Sequence, residues 1–479
     1  MSDHERDRLS LIVLRSLTYK EFQRQLAESA CDRLLVTALG AYVEECFGAF
    51  TLTEVEKTLQ RCAATLPQLL PAVLWSMLRW RPEPTAGELL ALQRGLPDTP
   101  DREYCHRALD VAVGYALTTE GRPSDAIRLL DSTRGAVDRL GTGMPLECLQ
   151  AALERNLGIA FQHVGHFEQA RVALQKSLVL CKKHDLALML TVTTQLGTLL
   201  WASGQCVQAL ALHTDAELRT RARAAQATML LARSHLSAAK CAIDLKRTDL
   251  AREELAAARD VLASSRADLP AEHAYALLFE GEIRVQAGDF DGGLERIQQA
   301  QRAFETCRPP HYPGALEAKI AQVHFCLYEN DFRSAFVFIR KLLDEAEERG
   351  CMQARSRLLL LETYLVFTAD TEMRAAFDDV VSRVHLINNP ALLLRALGNL
   401  LTYAVEFLDE RQQAFLFERI QNLRPVLEQS CFEDLYQRYV TERYAYAIEK
   451  RLARTTSGDR IRDLEAGDEP PDAGSDDRR

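Results

Sequence analysis

The sequence predicts an all-α fold of repeated helical hairpins, on three observations. A turn residue recurs about every 41 residues: Gly121, Gly165, Gly204, Lys246, Gly288, Asn330 and Asp370, with Asp409 a weaker eighth. Five positions after each stands a small residue: Ala126, Ala170, Ala209, Ala251, Gly293, Ala335, Ala375 and Ala414. Seven positions before each stands its counterpart: Gly114, Gly158, Gly197, Ala239, Gly281, Val323, Thr363 and Thr402. Glycine ends a helix cheaply because it takes the left-handed conformation without a side-chain clash. Small residues on both sides of the turn let two helices approach closely. Leu130, Leu174, His213, Leu255, Ile297 and Ile339 continue the inward stripe one helical turn later. The +5 residues are separated by 44, 39, 42, 42, 42, 40 and 39 positions, a phase kept over most of the chain.

In chain order, residues 1–100 do not carry the repeat and are assigned to an N-terminal helical domain. Thr18 with Glu21 and Thr51 with Glu54 fit capping boxes that open helices. Leu66–Trp80 is apolar around much of its circumference, as a helix buried in its own domain requires; Trp75 and Trp80 would anchor a partner only if it docked. Proline-rich breakers at 81–85 and 96–101 mark the boundary. Two helices near Leu17–Glu45 do not make a DNA-reading motif: their joint lacks a glycine turn and the second offers only Arg33 as a base. Residues 101–430 hold about eight hairpins, with loops at Gly141–Pro145, Ser264–Pro270 and Arg308–Pro313. Residues 431–454, with Tyr436, Tyr439, Tyr444 and Tyr446 among charged neighbours, suit a capping helix. Residues 455–479, acidic and without periodicity, are expected to be disordered.

The quartet of small residue, turn glycine, aromatic and alanine, as in Gly158, Gly165, Phe167 and Ala170, resembles the tetratricopeptide repeat superfamily. The same residue types recur at Gly281, Gly288 and Phe290, and at Asn330, Phe332 and Ala335. The period departs from the 34 residues of the common form, and in this it resembles long-period arrays such as kinesin light chains and the superhelical arms of bacterial regulators. The resemblance covers about residues 105–425 and speaks to fold. It implies a right-handed α-α superhelix, in which neighbouring hairpins stack into one continuous core with first helices lining the concave side.

Composition narrows the function. Net charge is −10, which gives no general electrostatic help in binding nucleic acid. Twelve cysteines are scattered singly without a C-x-x-C pair, as expected for thiols in a reducing compartment. The first fifteen residues carry both charges and no long apolar core, and no apolar run is long enough to span a membrane. A cytoplasmic location is expected.

No nucleophile elbow, phosphate loop or zinc-protease motif is present, so no catalytic residue is assigned and no enzyme is expected. His163 and His166 straddle the Gly165 turn with no third ligand nearby and read as exposed turn residues. No metal and no cofactor is expected.

What remains is a binding surface. First-helix positions at −6, −3, +1 and +4 from the small residue face the groove in such a fold. They are Arg155, Gln162, Trp201, Arg233, Lys240, Tyr275, His324, Arg357, Tyr364 and Tyr403, with Glu282, Glu317 and Glu406. Arg, Trp and Tyr anchor peptides through charge-assisted hydrogen bonds and amphipathic area. The expected function is a scaffold or adaptor whose groove holds a segment of another protein, compatible with membership of a multi-subunit complex. The alternative is a regulatory sensor arm responding to a peptide or small effector.

Overall fold

The structure, a computed structural model, describes residues 85–96, 102–140, 144–181, 186–224, 228–265, 269–307, 310–368, 377–404, 410–427, 429–442, 445 and 448. Most of the expected N-terminal domain, with its capping boxes and the Leu66–Trp80 helix, lies outside the described residues. So do the turns at Asp370 and Asp409 and the tail 455–479. Among the described residues there is no strand, and the fold is all-α, built of successive helical hairpins.

The chain divides into two compact units, Met1–Leu358 and Leu359–Arg479, and the division falls inside a helix. The first unit opens with α1 (Ala86–Arg94) and continues in antiparallel pairs. These are α2 (Arg102–Thr119) with α3 (Pro123–Val137), α4 (Met144–His163) with α5 (Phe167–Cys181), and α6 (Leu186–Ala202) with α7 (Cys206–His213). After a short α8 (Ala216–Ala224) come α9 (Thr228–Asp244) with α10 (Thr248–Ser264) and α11 (Pro270–Gln286) with α12 (Phe290–Thr306). Next are α13 (Tyr312–Tyr328) with α14 (Phe332–Glu348), then α15 (Met352–Thr368), in which the division lies.

Each described turn of the repeat follows one stereochemical plan. Gly121, Gly165, Gly204, Lys246, Gly288 and Asn330 all have positive φ, between 60° and 90°. At Gly165 the backbone N–H donates to Gln162 O at 3.0 Å, and the next N–H, of His166, reaches back to Phe161 O at 2.8 Å. Lys246 and Arg247 repeat the pair on Ile243 O and Ala242 O at 3.0 and 2.8 Å. This double closure satisfies carbonyls that a helix end leaves without partners, and it requires a left-handed residue. In the later hairpins the following aspartate caps the next helix: Asp289 accepts from Gly292 N and Asp331 from Ser334 N, both at 3.1 Å.

The small residues do what their spacing predicts. Ala126, Ala170, Ala209, Ala251 and Ala335 are completely buried. Gly158 lies flat against Leu174, so that a Cβ there would stand 2.6 Å from Leu174 Cγ. Gly114 meets Leu130, Gly197 meets His213 and Gly281 meets Ile297 in the same way. A bulky residue on the second helix therefore fills the notch left by a glycine on the first.

Two features depart from the plain repeat. The segment read as a breaker at Thr85 opens α1 with a capping box, in which Thr85 and Glu88 satisfy each other's backbone groups. Leu89 of α1 joins the core of the first hairpin, and Gln93 Nε2 donates to Asp110 Oδ1 at 2.7 Å. The third hairpin is cut short: α7 ends at His213, and α8 intervenes, capped by Asp215 accepting from Leu218 N at 2.7 Å. Arg219 of α8 then forks onto both oxygens of Glu254 at 3.1 and 2.8 Å, and His235 Nδ1 lies 2.7 Å from the same carboxylate.

In the second unit, α16 (Phe377–Arg383), α17 (Pro390–Ala404), α18 (Glu410–Gln421) and α19 (Gln429–Tyr436) follow. Arg383 Nη2 lies 2.8 Å from each oxygen of the completely buried Glu362. The expected capping helix is described to Glu442 and changes at Gln437 into a π-helical segment. That segment runs directly over Gly398, where a Cβ would be 2.6 Å from Tyr439 O. Arg395 stacks on the Tyr439 ring at 5.1 Å.

Candidate functional site: a cavity lined by the first helices

The first helices of successive hairpins turn one face inward onto a cavity of about 340 Å³ in the first unit. Its apolar wall includes Val111, Ile159, Leu188, Leu236, Phe279 and Leu316. Its polar groups converge from the predicted positions. Arg155, Gln162, Trp201, Arg233, Lys240, Tyr275 and Arg357 all line it, and so does Glu317. His324 is not a lining residue but stands within the field of Arg357 and Lys240. Tyr364 belongs to the second unit and is half-buried there. Tyr403 falls in α17, and its side chain is outside the described residues.

The charged members are engaged with one another rather than projecting into open solvent. Arg233 Nε donates to Glu272 Oε1 at 2.6 Å. Lys240 Nζ donates to both oxygens of Glu282 at 2.9 Å and lies 3.5 Å from Asp244. Arg357 pairs with Glu317 and stacks 5.7 Å over Trp201, whose indole N–H donates to Asp244 at 2.7 Å. Arg155 donates to Asn156 Oδ1 at 2.8 Å and stacks 5.6 Å over Tyr115, while Asn156 Nδ2 donates to Val111 O at 2.8 Å. Lys240 with Glu282 and Arg357 with Glu317 join equivalent positions of adjacent hairpins, so opposite charges one repeat apart meet on the concave face.

Electrostatics follow from the burial of these groups. Burial disfavours the charge on Arg233, but the Glu272 carboxylate and the Tyr115 hydroxyl outweigh it and hold its pKa above the ordinary value. Burial likewise opposes ionisation of Glu272, and Arg233 overcomes it, leaving that carboxyl below its usual range. Lys240 is raised in the same way by Asp244, Glu282 and Glu317 against the cost of burial. Glu282 goes the other way: burial, reinforced by Asp244 and Glu317, pushes its carboxyl up despite Lys240.

His163 corrects one sequence expectation. It is not an exposed turn residue but lines the cavity at the end of α4, where burial pulls its pKa down to about 4. His311 is lowered to about 4 by the same cause and packs edge-on against Tyr275 at 5.6 Å. Both imidazoles are therefore neutral at pH 7. His166, across the turn, is exposed as expected.

Beside the cavity the first unit closes on itself. The Tyr312 ring at the start of α13 fills the space beside Gly121, where a Cβ would meet its Cδ1 at 2.3 Å. Arg349 stacks 4.2 Å over the same ring and its Nη1 donates to Glu120 O at 3.4 Å. Gly350, at φ +67°, approaches Ser124 closely enough that a Cβ would be 3.3 Å from its Oγ. The turn of the first hairpin is thus seated on the sixth.

Sequence spacing missed Tyr115, Thr118, Glu272 and Asn156. Tyr115 and Thr118 stand at +1 and +4 from Gly114 and obey the same rule in the first hairpin, to which it was not applied. Glu272 and Asn156 occupy positions outside the four chosen and carry no periodic signal.

Among the described residues no helix is long and apolar enough to cross a membrane, and no group of three metal-ligating side chains converges. No protein family's sequence profile matches the chain, and no curated protein sequence does. Solved structures do. A Rap protein in complex with competence and sporulation factor is 12% identical, with 80% of this chain and 99% of that chain covered at a TM-score of 0.52. A signal transduction ATPase with numerous domains and a tetratricopeptide repeat sensor, from Pyrococcus horikoshii, is also 12% identical, covering 90% of this chain and 74% of that one at a TM-score of 0.37. At such identity the likeness to the Rap protein is one of fold, and it places the chain among tetratricopeptide-like helical solenoids.

Proposed function

We propose that the chain is a non-enzymatic scaffold or adaptor that receives a segment of a partner protein in its superhelical interior. The observation that carries this reading is the convergence of Arg155, Trp201, Arg233, Lys240, Tyr275 and Arg357 on one cavity, each braced by a neighbour. Bracing lowers the entropy a side chain loses on binding, so a groove built this way is preorganised. The Rap protein, similar in fold, is seen in complex with competence and sporulation factor, which supports a binding role. The proposal places the protein in the cytoplasm.

A second reading, a sensor arm for a peptide or small effector, is favoured by a separate observation. The contact of Gly121, Tyr312 and Arg349 closes the interior, and a volume near 340 Å³ suits a few residues of peptide or a small molecule.

Site-specific photocrosslinking tests the first reading. A photoreactive phenylalanine at Ile159, in the cavity, is expected to capture the partner, whereas the same residue at Val179, exposed on the outer α5, is not. Equal capture from both positions would place the binding surface elsewhere. Replacing Arg349 with Ala tests the second reading: opening the seam is expected to speed exchange of a bound guest several-fold, and an unchanged rate removes the seam from the mechanism.

A further inference from the structure

One end of the cavity is not electrically balanced. Trp201, Lys240, Asp244, Glu282, Glu317 and Arg357 form a single cluster there, with three carboxylates against two cations. The proton inventory is short as well. A lysine has three donors; two of the Lys240 contacts go to Glu282 at 2.9 Å, and its next nearest carboxylate oxygen is on Asp244 at 3.5 Å. Arg357 serves Glu317 through Oε2. Glu317 Oε1 is left completely buried with no hydrogen bond, 3.6 Å from Lys240 Nζ.

His324 does not supply the missing charge. Burial lowers its pKa to about 4, with Arg357 and Lys240 acting in the same direction, so its imidazole is neutral at pH 7. An excess carboxylate in a low-dielectric site is costly and draws either a proton or a cation. Glu282, the carboxyl biased toward holding a proton, is not part of the cavity wall; Glu317 is. The carboxylate that bears the orphan acceptor is therefore part of the cavity wall.

We propose that the Glu317 end of the cavity is a seat for an ammonium group of the guest, either a lysine side chain or a free amino terminus. The proposal rests on the cavity being the binding site and specifies what enters it. An ammonium placed against the Glu317 carboxylate donates a charge-assisted hydrogen bond and brings the cluster to three cations against three carboxylates, which neutralises it. A guest carboxylate at that position would be the fourth and is excluded.

Calorimetric titration of the full-length protein with three matched dipeptides tests this. Leucyl-leucinamide presents an ammonium at its terminus, N-acetyl-leucyl-lysinamide presents one on a side chain, and N-acetyl-leucyl-leucinamide presents none. At least one cationic probe is expected to bind about tenfold or more tightly than the neutral one, and the tighter of the two identifies the source of the ammonium. Glu317→Gln is expected to erase that preference. Glu282→Gln, which also removes the surplus carboxylate, is the second variant should the first fail to fold. Equal affinity for all three probes, or a preference that survives both substitutions, overturns the ammonium seat and leaves the cavity as a binding site. Failure of all three to bind overturns the seat and the cavity reading together.

Discussion

The second and third hairpins carry the same packing signature and differ in what surrounds it. Each has a glycine on its first helix, a left-handed glycine at its turn and a completely buried alanine on its second helix. In the second hairpin Leu174 fills the notch at Gly158 and α5 runs for 15 residues. In the third His213 fills the notch at Gly197 and α7 stops after 8 residues. The His213 imidazole is completely buried and packs directly against the Gly197 backbone. The turn and the small residues thus determine how two helices meet, while the residue in the notch and the length of the second helix set how firmly they hold.

The largest effect expected from this contrast is on overpacking. Ala170→Trp forces a large ring between α4 and α5 and should destabilise the protein by about 3 kcal/mol. Ala209→Trp should cost measurably less, because the short α7 has room to shift at its free end. Urea midpoints of the two variants decide the matter, and equal losses would show that helix length does not control rigidity here.

Acid sensitivity separates the two hairpins next. Burial, aided by Arg219, pulls the His213 pKa down to about 4 from an ordinary 6.5. The unfolded chain therefore binds a proton more readily than the folded one in this window. Stability supplied by the neutral imidazole is complete above pH 6.5 and is lost as pH falls toward 4, by at most roughly 3 kcal/mol. His213→Leu, which gives the third hairpin the notch-filling residue of the second, should flatten that dependence by one proton. A denaturation series between pH 7 and 4 with an unchanged slope would contradict the assignment. His163 and His311 contribute in the same direction and remain in the variant.

The smallest effect lies at the turns. Gly165→Ala should cost about 1 kcal/mol, since a side chain at φ +77° is strained. Lys246 already bears that strain at φ +60°, so Lys246→Gly should stabilise by a similar amount, less what its exposed contact with the Tyr328 hydroxyl contributes. Thermal midpoints moving in opposite directions would confirm that the two turns are equivalent; a loss in both would not fit.

Much of this architecture was legible in the sequence because it is local. A helix end that needs a left-handed residue, and a glycine on one helix facing a leucine 16 positions later, involve only neighbouring stretches of chain. Even Lys246 and Asn330, unusual at such positions, were placed by periodicity, and both have positive φ. The concave face was legible for a related reason: in a stacked array one side of every first helix must point inward, so Arg155, Arg233, Lys240 and Arg357 could be assigned to it from spacing.

The interior itself was not legible. That Arg349 closes on Glu120, 229 positions away, depends on small rotations accumulated across six hairpins, and no single hairpin encodes their sum. Nor does any single hairpin show that His163 lines the cavity or that Glu317 keeps an unsatisfied oxygen. The short α7 and the inserted α8 likewise have no counterpart in the periodic pattern. Sequence alone determined the turns, the interlocking notches and the inward face, because backbone stereochemistry and helical periodicity act within a few tens of residues. Only the tertiary structure decided the closure, the pairing of the inward charges and the one carboxylate they do not satisfy, because these depend on where distant helices come to rest.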